Sequence, residues 1–194
     1  MGRLVLASAS PRRAALLREA GLGFEVRAAD VDESFDPAAD PEQVARDLAL
    51  RKARVVAREL ADPDARVVGG DTLVVLDGPR FLGKPADAAE ARAMLEALSG
   101  TTHRVITGVA VVAGAREVAA AEVTRVTMRV ITPDEVAAYV ASGEWRGKAG
   151  GYAIQETADR FVTGLAGGGF DNVVGLPVVR TLALLDEVAG GGPA

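Results

Sequence analysis

Cysteine is absent from the 194 residues, which excludes disulfides and thiolate metal sites and suits a reducing cytosol. There is one histidine, His103, so zinc sites built on paired histidines are excluded. A Ser-His-Asp triad is a poor fit as well, because no G-x-S-x-G elbow accompanies that histidine. The G-x-x-x-x-G-K-[ST] phosphate loop is missing, and Gly21-Leu-Gly23 lacks the third glycine and the helix of a dinucleotide fingerprint. No apolar run approaches the ~18 residues of a membrane span, and the N-terminus lacks the apolar core of a signal peptide. We therefore expect no membrane partner and a cytoplasmic location. Net positive charge is lacking too: at −5 the chain is a poor partner for nucleic acid polymers, though it can bind polyphosphate where basic groups converge.

What is present is ordinary globular material, 49% hydrophobic and 25% charged, enough for a real core. No repeat or long linker divides it, so residues 1–189 read as one domain and 190–194 as a flexible tail. Leu4 to Ala7 is a short apolar strand. Ser10 then offers a helix N-cap, Pro11 suits the first helical position, and Gly21 supplies a stop. Arg12 and Arg13 fall in the first turn of that helix, where cations oppose the dipole by roughly 0.3–1 kcal/mol each. An anion held by the free N–H groups, the serine hydroxyls and the guanidinium groups reverses that sign. The stretch reads as a phosphate site, or else as a solvated basic helix start.

Further along, Phe24 to Ala28 alternates like a strand and runs into Asp30, Asp32 and Glu33, either a solvated acidic loop or metal ligands. Pro41 to about Leu60 is a helix with Val44, Leu48, Val55 and Val56 as its buried stripe. Its Lys52, among Arg46, Arg51, Arg54 and Arg58, reads as part of an exposed basic face. Arg66 to Leu76 is a β-branched central strand interrupted by Asp71, with Asp77-Gly78 as a hairpin return and Lys84 at its end. A carboxylate in such a run is costly unless it is paired, binds metal or faces a cleft. Gly69 and Gly70 leave room there for a backbone or a ligand. A helix capped by Asp87 follows, then strands around His103–Val112 and Val118–Val130, and a helix capped by Thr132. His103 reads as a hydrogen-bonded structural residue and Met94 as core. The glycine-rich stretch from Glu144 to Gln155, with Lys148 and Tyr152, suits base recognition or is a mobile connector. Phe161-Val-Thr is a short strand, and a last helix ends near Ala189. Strands alternating with helices and hairpins give an α/β class with a mixed sheet. Carboxylates (Glu33, Asp71) with cations (Arg12, Arg13, Lys52, Lys84) suit magnesium-assisted attack of water on a phosphoanhydride.

Taken in order, Leu6-Ala-Ser-Ala-Ser-Pro-Arg-Arg13, Asp32-Glu33, Leu48-Ala-Leu-Arg-Lys52, Asp71-Thr-Leu-Val, Leu82-Gly-Lys-Pro85, Leu98-Ser-Gly-Thr-Thr-His103, Tyr152-Ala-Ile-Gln155 and Val174-Gly-Leu-Pro177 resemble the Maf family of nucleoside triphosphate pyrophosphatases. The resemblance reaches from the N-terminus to Pro177. It implies an elongated mixed β-sheet flanked by helices, with two lobes around a central cleft, similar to inosine triphosphate pyrophosphatases. It implies hydrolysis of a nucleoside triphosphate to monophosphate and pyrophosphate with Mg2+ or Mn2+. By motif, Asp71 matches the proton acceptor and Glu33 would join it on the metal. Ser8, Arg13, Lys52 and Lys84 match phosphate-contacting positions, Lys84 and Glu33 also counting among the catalytic set. Arg12, Thr72 and Gln155 match positions that sort substrates, in the combination of the dTTP and UTP branch. Two departures stand out: Glu156 follows Gln155 where Gly is common, and Gly70 replaces a frequent Ala. A homodimer is a family expectation, and so are the alternatives of a broad pyrophosphatase for non-standard nucleotides and a nucleotide-binding regulator of septum formation.

Overall fold

A computed structural model describes residues 2–77 and 80–190. The elements are β1 (Leu4–Ala7), α1 (Pro11–Glu19), β2 (Glu25–Arg27), α2 (Pro41–Leu60), β3 (Arg66–Leu76), β4 (Arg80–Leu82), α3 (Ala88–Leu98), β5 (Thr102–Ala113), β6 (Arg116–Met128), α4 (Pro133–Ser142), β7 (Val162–Gly167), α5 (Phe170–Val174) and α6 (Val178–Gly190). Short 3₁₀ turns cover Ala149–Gly151 and Thr157–Phe161. The sheet is mixed and runs β2-β1-β3-β5-β6-β7, with β4 also on β3. β1 lies parallel to β2 and β3, whereas β3–β4 and β6–β7 are antiparallel. Gly78 of the predicted Asp-Gly return and residues 191–194 of the predicted tail lie outside the described residues. Among the described residues, no helix is long and apolar enough to cross a membrane.

Helix starts follow the side chains that cap them. Asp40 accepts the Gln43 N–H at 2.9 Å and Asp87 accepts the Glu90 N–H at 2.8 Å. Thr132 and Glu135 form a reciprocal capping box. At the far end of α2, Ala61 takes a left-handed conformation (φ 49°) that a side chain disfavours.

The chain divides into two compact units. One holds the described residues through Asp71, with Thr107–Glu122 and those from Gly175 onward. All four residues of β1 are buried in it, as befits a strand covered on both faces. Leu4, Leu6 and Val68 cluster with Leu17 of α1, Leu185 of α6 and Leu176 just before α6, while Val5, Ala7 and Val67 cluster with Ala53 and Val56 of α2. Helix α2 comes unusually close. A Cβ on Gly69 would lie 2.1 Å from the Ala49 carbonyl oxygen, and one on Gly108 would lie 2.0 Å from that of Ala45. The seam is backbone against backbone, with Ala45, Ala49 and Ala53 fully buried along it.

The other unit holds Thr72–Ile106 and Val123–Val174. Its core joins Met94, Leu95 and Leu98 of α3 to Val136 and Tyr139 of α4, with Trp145, Tyr152 and Phe161. Met94 is core as predicted. His103 is buried and its Nε2 pairs with the Tyr152 hydroxyl at 2.8 Å, a structural hydrogen bond as the sequence indicated. Burial lowers the His103 pKa to about 4.

Candidate active site

Strand β3 sets the site by its alternation. Gly69 and Asp71 lie on the face against α2, and Gly70 lies on the opposite face beneath Arg13. Because Gly69 has no side chain, α2 sits low enough for Lys52 to reach the strand. Its ammonium donates to Asp71 Oδ1 at 2.5 Å and contacts Glu33 Oε1 at 2.6 Å. Lys52 and Asp71 are 7% and 8% exposed, so this is a mostly desolvated pair with Glu33 at its wetter end. The exposed basic face read for Lys52 is therefore corrected: the arginines around it stay outside, and Lys52 turns inward. Apolar spacing carried the signal, since Lys52 stands in the i+4 row of Val44, Leu48 and Val56.

Glu33 is brought there by its neighbours. Asp32 accepts both the N–H and the hydroxyl of Ser34, at 2.9 and 2.7 Å, and those bonds hold its carboxyl below the usual range. Arg51, one residue from Lys52, donates to the carbonyls of Asp32 and Ser34 at 3.2 and 3.0 Å. One helix thus fastens the acidic loop by backbone and by charge.

On the other face, the β1–α1 turn is laced together. Ser8 is buried, and its Oγ accepts the Ser10 N–H at 3.2 Å and Arg13 Nη1 at 3.1 Å. Arg13 Nε donates to the Gly175 carbonyl at 2.7 Å. A Cβ on Gly70 would stand 3.1 Å from that Nε, so glycine here gives the guanidinium room. Burial lowers the Arg13 pKa, and the Asp71 carboxylate opposes that shift while Arg12 adds to it. The guanidinium remains charged. Two adjacent arginines at a helix N-terminus make a strong anion locus.

The first unit thus brings together Ser8, Arg12, Arg13, Glu33, Lys52 and Asp71. Thr72, Lys84 and Gln155 belong to the second. There Lys84 is exposed, and the residue before it, Gly83, accepts the Gly150 N–H at 2.9 Å, which ties β4 to the glycine-rich loop. Gln155 is exposed on that loop, whereas Tyr152 and Lys148 are buried and anchor it.

Among the described residues, no cluster of three or more histidine or acidic groups is arranged around a metal position. Glu33 and Asp71 do converge on one ammonium. Two carboxylates are a usual protein share of a magnesium site, with water and substrate phosphate supplying the rest, so the donor set fits a hard divalent cation.

A family model described as "Maf-like protein" matches residues 3–188. The dTTP/UTP pyrophosphatase of Moorella thermoacetica is 50% identical over 187 residues, covering 95% of this chain and 94% of that protein. The protein of the same name from Pelotomaculum thermopropionicum is 48% identical over 189 residues (96% and 97%). The one from Symbiobacterium thermophilum is 46% identical over 187 residues (96% and 94%).

Proposed function

The chain belongs to the Maf-like protein family, and from that premise we propose that it hydrolyses nucleoside triphosphates, dTTP and UTP foremost, to the monophosphate and pyrophosphate. The observation that carries this reading is the ion-paired set of Lys52, Asp71 and Glu33, a buried lysine shared by two acids, one of them midway along an apolar strand.

In the reaction a water oxygen forms a bond to the α-phosphorus, and the bridging bond from that phosphorus to the β-phosphate oxygen breaks. Asp71 takes the proton of the attacking water, acting as the general base. Arg13, held by Ser8 and the Gly175 carbonyl, offers a preset guanidinium to the phosphates at the α1 N-terminus. Lys84 adds a flexible cation for the leaving pyrophosphate. Lys52 keeps the two carboxylates together without leaving an unpaired charge buried. Glu33 and Asp71 would hold a divalent cation, which when bound supplies charge neutralisation along the triphosphate. Arg12, Thr72 and Gln155 select the base. Residues 1–189 act as one functional domain in this reading. The nucleotide pool acted on is cytoplasmic, and we place the enzyme there.

The test is a panel of nucleoside triphosphates with Mg2+ or Mn2+, reading the phosphate products. Pyrophosphate release fastest from dTTP and UTP is the expected result. Orthophosphate release would overturn attack at the α-phosphorus. A flat ranking would leave a broad house-cleaning pyrophosphatase, and no turnover at all would leave a nucleotide-binding regulator.

A further inference from the structure

Resting on that function, we propose that Lys148, Glu156, Glu144 and Thr157 form a positioning clamp that presents Gln155 to the nucleobase. Gln155 is an exposed side chain on a segment whose neighbours are not free to move. On its N-terminal side Tyr152, Ala153 and Ile154 are buried. The Tyr152 hydroxyl pairs with His103 Nε2, and the Ala153 N–H donates to the Tyr139 hydroxyl at 3.3 Å. On its C-terminal side Ala158 and Phe161 are fully buried. Between these anchors only Gln155, Glu156 and Thr157 run at the surface, and two of the three are tied.

The ties have a single centre. Lys148 is 7% exposed, and its ammonium donates to Glu156 Oε2 at 2.5 Å and to the Glu144 carbonyl. The Glu144 carboxylate accepts the Thr157 N–H at 3.1 Å and the Thr157 hydroxyl. Residues 156 and 157 are therefore both fastened to the turn at 144–148, one by charge and one by a two-point hydrogen bond. A buried ammonium is costly unless its charge is met, and Glu156 meets it. Without that carboxylate, the loop must open enough to hydrate Lys148. Gln155, adjacent in the chain, moves with it. An amide reads a base edge only while its donor and acceptor are held in register. The clamp belongs to the second unit, whereas Ser8, Arg13, Lys52 and Asp71 belong to the first, so its effect falls on substrate choice and binding, not on the chemical step.

Steady-state kinetics on dTTP, UTP, dGTP and ITP, paired with amide hydrogen exchange at 155–157, test this in Glu156→Ala, Glu156→Gln and Gln155→Ala. Glu156→Ala should raise the KM for dTTP at least fivefold, leave kcat within about twofold, shrink the pyrimidine preference and speed exchange at 155–157. Glu156→Gln, which keeps a hydrogen-bond acceptor for Lys148, should recover much of the preference. If Gln155→Ala flattens the ranking while Glu156→Ala preserves it, the clamp is wrong and the function stands. If Gln155→Ala preserves the ranking, the presented residue is wrong and the clamp falls with it. Absence of turnover by the wild type removes the function alone, and unchanged exchange in Glu156→Ala then overturns the clamp independently. Should Glu156→Ala fail to fold, Glu156→Gln carries both readouts: unchanged KM, ranking and exchange in it would refute the role of charge.

Discussion

Gly69→Ala puts the shape of the site to a direct test. The added Cβ would stand 2.1 Å from the Ala49 carbonyl oxygen and 2.9 Å from the Ala53 nitrogen, all of it rigid backbone. Restoring an ordinary 3.4 Å contact lifts α2 from β3 by about 1.3 Å. Lys52 lies between Ala49 and Ala53 and rides with the helix, so its 2.5 Å bond to Asp71 lengthens out of charge-assisted range unless the side chain stretches after it. Overpacking of this kind costs about 1–3 kcal/mol of stability, and in a chain of this size that lowers Tm by roughly 2–4 °C per kcal/mol. Misplacing a site group by about 1 Å costs on the order of 10²-fold in rate. The assay is pyrophosphate release from saturating dTTP beside a thermal melt. Gly108→Ala is the control, because its Cβ would meet the Ala45 carbonyl at 2.0 Å, nearly two turns before Lys52. It should lower Tm comparably and turnover by less than about tenfold. Equal turnover losses in the two variants would show that helix displacement at Lys52 is not the cause. Near-wild-type Gly69→Ala would refute the close approach itself.

Asp71→Asn should cut turnover by far more than tenfold while the protein still melts cooperatively; a loss under tenfold, about 1.4 kcal/mol, would remove Asp71 as proton acceptor. His103 titrates near 4 when folded against 6.5 in the ordinary case, so the unfolded chain binds its proton first as pH falls. Its contribution is full above 6.5 and is lost on the way down to 4, a loss of about 3 kcal/mol. Urea midpoints between pH 4 and 7.5 should therefore show a steeper acid slope in the wild type than in His103→Gln, and parallel slopes would refute the assignment. Ala61→Gly relieves the one left-handed non-glycine residue among those described and should stabilise by about 0.5–1 kcal/mol, read as a raised urea midpoint. A lowered midpoint would mean the alanine side chain contributes packing there.

Local chemistry made much of the architecture legible. Ser10-Pro11, Pro41, Asp87 and Thr132 each announce a helix start, and a helix begins at each, the one at Pro41 capped by Asp40. Gly69-Gly70 signals room for a backbone or a ligand, and the space is taken by the α2 backbone at Gly69 and by the Arg13 side chain at Gly70. Lys52 was misread by residue type, although its spacing put it in the buried row. The last strand was foreshortened for a different reason. Gly164 and Gly167 look like turn residues, but pairing with β6 from Thr124↔Gly167 to Met128↔Val162 carries β7 through them. The glycine-rich loop concealed its order because its fasteners join positions eight and thirteen residues apart, a spacing that no helix or strand period marks.

The seam between α2 and β3 contains alanine and glycine alone at its closest points, and neither has a side-chain torsion to adjust. Elsewhere in the core, a changed residue can be absorbed by a neighbour adopting another rotamer. Here covalent backbone dimensions act as a fixed gauge, setting how far Lys52 stands from Asp71. Drift in the surrounding hydrophobic residues therefore passes without detuning the ion pair. By the same token, the chain has almost no gradual way of retuning it: any step along the seam is a whole methyl group or nothing.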